Sequence, residues 1–219
     1  MKKQLFIVYI CLLLINISEA QTAFPPFAND ILRFKKQDSI QPPAKNAILF
    51  VGSSSFTRWN NIESYFPGYI IINRGFGGST LIDVIRYAYD VIIPYQPKQV
   101  VIYCGENDLA SNVPSGEVVK RFKTLYQLIR INLPNTKVHF VSIKPSPSRS
   151  HLIPKMKEVN QQVSAFLKKE KNTGFINVYP SLLDEKGNIR DELFVEDKLH
   201  VNEKGYALWQ KIILPHLIK

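Results

Sequence analysis

Three consecutive serines, Ser53, Ser54 and Ser55, follow Gly52, and far downstream Asp197 stands three residues before His200. A serine hydroxyl is a weak nucleophile until a neighbouring base takes its proton. An imidazole can do so near neutral pH, and a carboxylate can hold that imidazole and stabilise its protonated form. Of the four histidines, His200 alone has an acid at that spacing. His139 falls within an apolar run and reads as a core residue, His151 opens a helical stretch, and His216 lies just beyond Pro215. Two more polar stretches carry glycines: Asn73-Arg74-Gly75-Phe76-Gly77-Gly78-Ser79 and Gly105-Glu106-Asn107-Asp108. The chemistry on offer is attack by a serine on an acyl carbon, provided the fold gathers these segments.

Short apolar runs precede them. Residues 47–51 end at Gly52, 69–72 at Asn73 and 98–104 at Gly105, while 137–143 and 175–178 are two further runs. Each has the length of a buried strand and is rich in Val and Ile. Between them Val118, Val119, Phe122, Leu125, Tyr126 and Ile129 recur at helical steps behind Pro114-Ser115, as do Ile153, Met156, Val159, Val163, Phe166 and Leu167. A last helix is expected from Asn202, whose side chain can cap it, with Val201 and Tyr206 spaced as a hydrophobic staple. Apolar strands alternating with helices predict a three-layer α/β/α sandwich of about five parallel strands, covered on both faces. In such a sheet the loops at the carboxyl ends of the strands share one edge, where ligands bind.

The ordered blocks VGSSS, NRGFGGST, GENDL and DKLH resemble those of the SGNH (GDSL-like) hydrolases, the lipase/acylhydrolase family to which the platelet-activating-factor acetylhydrolase-like esterases are related. The resemblance runs from about residue 47 to the C-terminus. It implies a flavodoxin-like fold and a serine esterase that works without cofactor or metal. Ser54 is then the nucleophile, His200 its base and Asp197 the orienting acid. The implied oxyanion donors are the Ser54 backbone N–H, the Gly78 backbone N–H and the Asn107 side-chain amide. Position 53 is Ser where the name-giving motif has Asp. With Ser53 and Ser55 adjacent, the nucleophile's register rests on alignment to Gly52. The implied substrate is a small-molecule or glycan ester with a small acyl group such as acetyl. Lipid-derived or thioester substrates are the enzymatic alternatives, and a carbohydrate-binding module without turnover is the non-enzymatic one. Arg58, Trp59 and the 144–149 loop stand either at the crevice or in surface packing.

Other chemistries fit the residues less well. Thr80 occupies the place of the third glycine in a dinucleotide fingerprint, and no P-loop lysine follows. Glu106 and Asp108 could form a glycosidase pair, but alternate residues in a turn read as structural, with Asp108 tying down its own loop. An α/β-hydrolase needs a glycine where Phe56 stands. No zinc-type spacing occurs, and Asp197 with His200 is too sparse to hold an ion.

The chain has 219 residues, 45% hydrophobic and 21% charged, which suits one ordinary globular domain. Residues 1–20 read as a signal peptide: Lys2 and Lys3, an apolar run to Ile15, then Ser18-Glu19-Ala20 at a cleavage site. Residues 21–43 read as an N-terminal arm with a short helix near 30–37, and 44–219 as the hydrolase domain. The protein is thus expected to be exported, periplasmic or secreted, without stable membrane insertion after cleavage. Cleavage removes Cys11 and leaves Cys104, which ends an apolar run and reads as a small core residue. It also removes two lysines and Glu19, taking the formal charge from +10 to +9. The lysines are scattered on solvated faces with no aromatic interleaving, so no nucleic-acid partner is expected.

Overall fold

The computed structural model describes residues 25–219. The expected signal peptide and the first residues of the arm lie outside the described residues. Five strands, β1 (Ile48–Gly52), β2 (Ile71–Gly75), β3 (Gln99–Tyr103), β4 (Lys137–Val141) and β5 (Thr173–Ile176), pair in parallel in the order β2-β1-β3-β4-β5. The helices are α1 (Ala28–Ile40), α2 (Ser54–Thr57), α3 (Leu81–Arg86), α4 (Ala88–Val91), α5 (Glu106–Ala110), α6 (Ser115–Asn132), α7 (Ile153–Leu167) and α8 (Glu203–Ile213).

Period-two alternation divides the core. Leu49 and Val51 of β1, with Val100 and Ile102 of β3, face a layer made by α1, α3, α4, α6 and α7. Ile48, Phe50, Val101 and Tyr103 face the other layer, where α2, a 3-10 turn (Ile62–Tyr65) and α8 pack. Sheet strands buried on both sides are nearly apolar throughout, as β1 is and as β3 is after Gln99. This is the three-layer sandwich expected, in the flavodoxin-like order. The thinner layer is filled with rings: Trp59 stacks on Tyr206 at 4.7 Å and meets Trp209 and Phe50 edge-on. Trp59 is 1% exposed, so it belongs to the core and not to the crevice.

Several element boundaries differ from the sequence reading, β4 among them, which ends at Val141 and not at residue 143. β2 begins at Ile71 and runs through Asn73, Arg74 and Gly75, because an edge strand tolerates polar residues that find local partners. Asn73 Oδ1 accepts from the Gly75 N–H at 2.9 Å, and Arg74 bonds Tyr95 and Asp38. β5 ends at Ile176, since the N–H groups of Val178 and Tyr179 have already turned to the Ser142 hydroxyl, at 3.0 and 3.1 Å. The helix in the arm is longer than expected and packed: Ile31 and Phe34 of α1 are buried in the same core as β1.

The order reverses between β1 and β3. Chain leaving β1 enters one layer and chain leaving β3 enters the other, so the two loops splay and open a crevice. Ser54 stands on the first of these loops and Asn107 on the second.

Candidate active site

Gly52 closes β1 with φ of 138°, and a Cβ there would lie 2.0 Å from the Tyr103 carbonyl oxygen. Glycine alone lets the β1–β3 ladder continue to the turn. Ser54, two residues on, opens α2. That short helix is pinned from both sides: the Tyr206 hydroxyl donates to the Ser55 carbonyl at 2.8 Å, and the Asn73 amide to the Phe56 carbonyl at 2.7 Å.

The Asp197–His200 turn lies between Phe194 and Val201, which bridge each other just before α8. Asp197 Oδ1 accepts the backbone N–H groups of Leu199 and His200, each at 2.9 Å. Asp197 Oδ2 lies 2.7 Å from His200 Nδ1, and His200 Nε2 lies 2.8 Å from Ser54 Oγ. A carboxylate can only accept, so Nδ1 carries the proton and Nε2 is left to accept from the Ser54 hydroxyl. Burial pulls the His200 pKa below its ordinary value, with the Arg58 and Lys144 charges adding to that and the Asp197 hydrogen bond opposing it. Burial acts to raise the Asp197 carboxyl, but hydrogen bonds from the His200 backbone and ring and the Leu199 backbone outweigh it. They hold the group well below the usual carboxylate range. An ionised acid and a neutral imidazole are the states that let a base take a hydroxyl proton.

The three serines have separate surroundings. Ser53 Oγ accepts from Asn107 Nδ2 at 2.7 Å, Ser55 is buried, and Ser54 faces the imidazole. Asn107 Nδ2 also donates to the Ser79 carbonyl at 3.0 Å. The backbone N–H groups of Ser54 and Gly78 have no acceptor among the described residues. Gly78 has φ of 88°, and a Cβ there would meet nothing closer than Phe27 Cε1 at 3.8 Å. Backbone conformation, not crowding within the chain, requires glycine at that position.

Among the residues left open by the sequence, Arg58 Nη1 lies 3.5 Å from Asp197 Oδ2, at the acid. The 144–149 loop is not surface packing. Lys144 is buried and donates to both Glu106 oxygens at 3.0 Å, and Arg149 Nη2 donates to Asn107 Oδ1 at 3.1 Å. Asp108 does not tie down its own loop. It is fully buried and accepts from the Leu81 N–H at 3.0 Å and from Arg121 at 2.9 Å, joining α3 to α6. Glu106 and Asp108 are thus committed to separate partners. His139 is a core residue in β4 bonded to Gln99 at 3.1 Å, and Cys104 is a buried thiol. Sequence reading missed the Ser53–Asn107 and Arg149–Asn107 bonds. The signal was there for the second: Lys144 and Arg149 come after the fourth strand, at the same sheet edge.

A family model described as the GDSL-like lipase/acylhydrolase family matches residues 49–208, well over half of the chain. No curated protein matches it. A Streptococcus pneumonia protein provisionally described as a platelet activating factor superposes with a TM-score of 0.77 at 22% identity, over 87% of this chain and 92% of its own. A GDSL-like lipase from Bacteroides thetaiotaomicron gives 0.72 at 22% identity, over 85% and 96%. An acetyl-xylooligosaccharide esterase from Geobacillus Stearmophilus, in a mutant form, gives 0.64 at 13% identity, over 78% and 94%. At such identities these likenesses speak for the fold, while the family match covers the loops described above. The chain belongs to the GDSL-like lipase/acylhydrolase family and is a serine esterase acting on ester bonds.

Proposed function

We propose that the protein is an exported esterase that removes small acyl groups, acetyl foremost, from carbohydrate through an acyl-serine intermediate on Ser54. His200 takes the hydroxyl proton as Ser54 Oγ attacks the carbonyl carbon, then delivers it to the leaving alcohol. Asp197 holds the ring and balances its charge. The oxyanion is received by the N–H groups of Ser54 and Gly78 and by the Asn107 amide, whose hydrogen is shared away from Ser53 Oγ as the charge develops. Water then repeats the sequence on the acyl-enzyme. The observation that carries this reading is the unbroken relay Asp197–His200–Ser54, at 2.7 and 2.8 Å, beside two N–H groups that have no acceptor among the described residues.

A cavity of about 420 Å³ is lined by Arg58, Asn60, Asn61, Ser64 and Glu203 together with Tyr65, Tyr206 and Val201, a mixture of hydrogen-bonding groups and rings that suits a sugar. Several fold neighbours are described as acetyl or acetyl xylan esterases. The leader-like first twenty residues support export. The test compares the mature protein with Ser54→Ala on p-nitrophenyl esters of two to eight carbons and on acetylated oligosaccharides. The expected result is acetate release by the parent and loss of turnover in the variant. Equal rates in both would remove Ser54 from the reaction, and a preference for long acyl chains would replace the carbohydrate reading with a lipid one.

A further inference from the structure

We propose that Arg149 is a positioning residue that fixes the side-chain amide of Asn107 in its donating orientation, held in place by the buried pair Glu106 and Lys144. The inference rests on the reading of Asn107 as an oxyanion donor. An amide has an accepting and a donating end, and a half-turn of the side chain exchanges them. If the exchange occurred here, oxygen would point where hydrogen is needed and the site would repel the charge it must stabilise. Two contacts prevent it. A guanidinium has no acceptor, so the amide end facing Arg149 Nη2, 3.1 Å away, must be Oδ1. A carbonyl has no donor, so the end facing the Ser79 oxygen at 3.0 Å must be Nδ2.

The guanidinium is itself constrained. Arg149 Nη1 lies 3.4 Å from Glu106 Oε1. Glu106 is anchored in turn by the Tyr103 hydroxyl at 2.5 Å and by Lys144 Nζ at 3.0 Å to each oxygen. Glu106 directly precedes Asn107, so the pair that seats the arginine also sets the turn that carries the amide. Backbone geometry agrees: Arg149 departs from helical angles within the 3-10 turn Pro147–Leu152, at φ −121° and ψ 26°. The neighbouring Ser148 donates through its N–H and its hydroxyl to the Lys198 carbonyl, at 3.1 and 3.0 Å. The loop after β4 is thereby tied to the amide on one side and to the Asp197–His200 turn on the other. A charged donor on the amide oxygen also polarises its N–H groups and strengthens them as donors.

The experiment is a double-mutant cycle on the mature protein with p-nitrophenyl acetate, comparing parent, Arg149→Ala, Asn107→Ala and the double variant. Asn107→Ala is expected to lower kcat by ~10²–10³-fold. Arg149→Ala is expected to lower kcat by roughly tenfold or more with KM little changed, and to add nothing in the Asn107→Ala background. Arg149→Lys should rescue poorly, since a compact ammonium cannot span Asn107 and Glu106 as the planar fork does. Arg149→Met keeps the stem without the donors, and takes the place of the alanine variant if that one melts before assay. Equal losses from Arg149→Ala in both backgrounds, or an effect on KM alone, would overturn the positioning role and leave the Asn107 reading intact. Unchanged kcat in Asn107→Ala would overturn the donor reading itself, and this inference with it.

Discussion

Replacing Asp197 by Asn exchanges one oxygen for an NH₂ of nearly the same size, and the surroundings decide which end goes where. Oδ1 is held by two backbone N–H groups, those of Leu199 and His200, each at 2.9 Å. Turning the new NH₂ toward them would leave the part-buried His200 N–H unpaired, at about 1–3 kcal/mol, while water can replace the acceptor of the exposed Leu199 N–H. The oxygen therefore stays, with a preference of roughly 1–3 kcal/mol, and the NH₂ faces His200 Nδ1. A nitrogen that meets a donor must accept, so the ring proton moves to Nε2. Nε2 then presents N–H to Ser54 Oγ, where the reaction needs a lone pair. The expected loss of kcat is on the order of 10²-fold, about 2.7 kcal/mol, at the upper end of that preference. The assay is steady-state hydrolysis of p-nitrophenyl acetate at a pH where the parent is on its plateau, with thermal melting to show that the fold survives. A loss of less than tenfold in a folded variant would mean that the Asp197–His200 contact does not orient the base, and the proton relay would have to be abandoned.

Two pH experiments read other parts of the same structure. Because only neutral His200 can accept the serine proton, kcat/KM should rise with pH through a midpoint below the ordinary histidine value of about 6.5. Arg58→Gln removes a repelling charge and should move that midpoint upward, more at low than at high salt because Arg58 is exposed; a downward or absent shift would contradict the electrostatic account. His139 supplies the stability counterpart. Burial lowers its pKa to about 4, so the unfolded chain takes up the proton first as pH falls. Its contribution is complete above pH ~6.5 and is lost progressively down to about 4, a loss on the order of 3 kcal/mol. Urea unfolding at several pH values should show that decline flattened in His139→Gln, and an unchanged slope would show that another group causes it.

The features that were legible in the sequence share a cause. Strands buried on both faces are apolar at nearly every position, so β1, β3 and β4 stand out as runs despite Gln99, Lys137 and His139, and the loop after each run lies at the sheet's ligand edge. Ser54 and Asn107 could therefore be assigned to one edge before any distance was known, whereas the Asp197–His200 turn directly follows no strand and joined them through the family resemblance. Edge and terminal elements were read less well. β2 carries Asn73 and Arg74 within the ladder, and α1 has few apolar residues to announce that Ile31 and Phe34 dock. The partners of Asn73 and Arg74, namely Phe56, Asp38 and Tyr95, are far away in the chain, and the core that receives Ile31 and Phe34 is likewise built by later elements.

Polar partnerships were least legible, and the reason is physical. An apolar side chain records its burial in its type, whereas a charged one is buried or solvated according to whether a counter-charge reaches it. Lys144 and Arg149 look like ordinary loop cations after β4, and Glu106 and Asp108 look like an acidic pair in a turn. Folding sorts them otherwise: Glu106 goes to Lys144 and Arg149, and Asp108 to Arg121, across two different elements. Each assignment leaves its neighbour free for one task. With Asp108 committed to joining α3 and α6, and Glu106 to seating Arg149, Asn107 between them is the one residue of the turn whose side chain reaches the crevice. The same logic makes the uncharged amide the suitable donor there. A lysine in its place would sit beside Arg149 without a carboxylate of its own, and an aspartate would confront the oxyanion with a like charge.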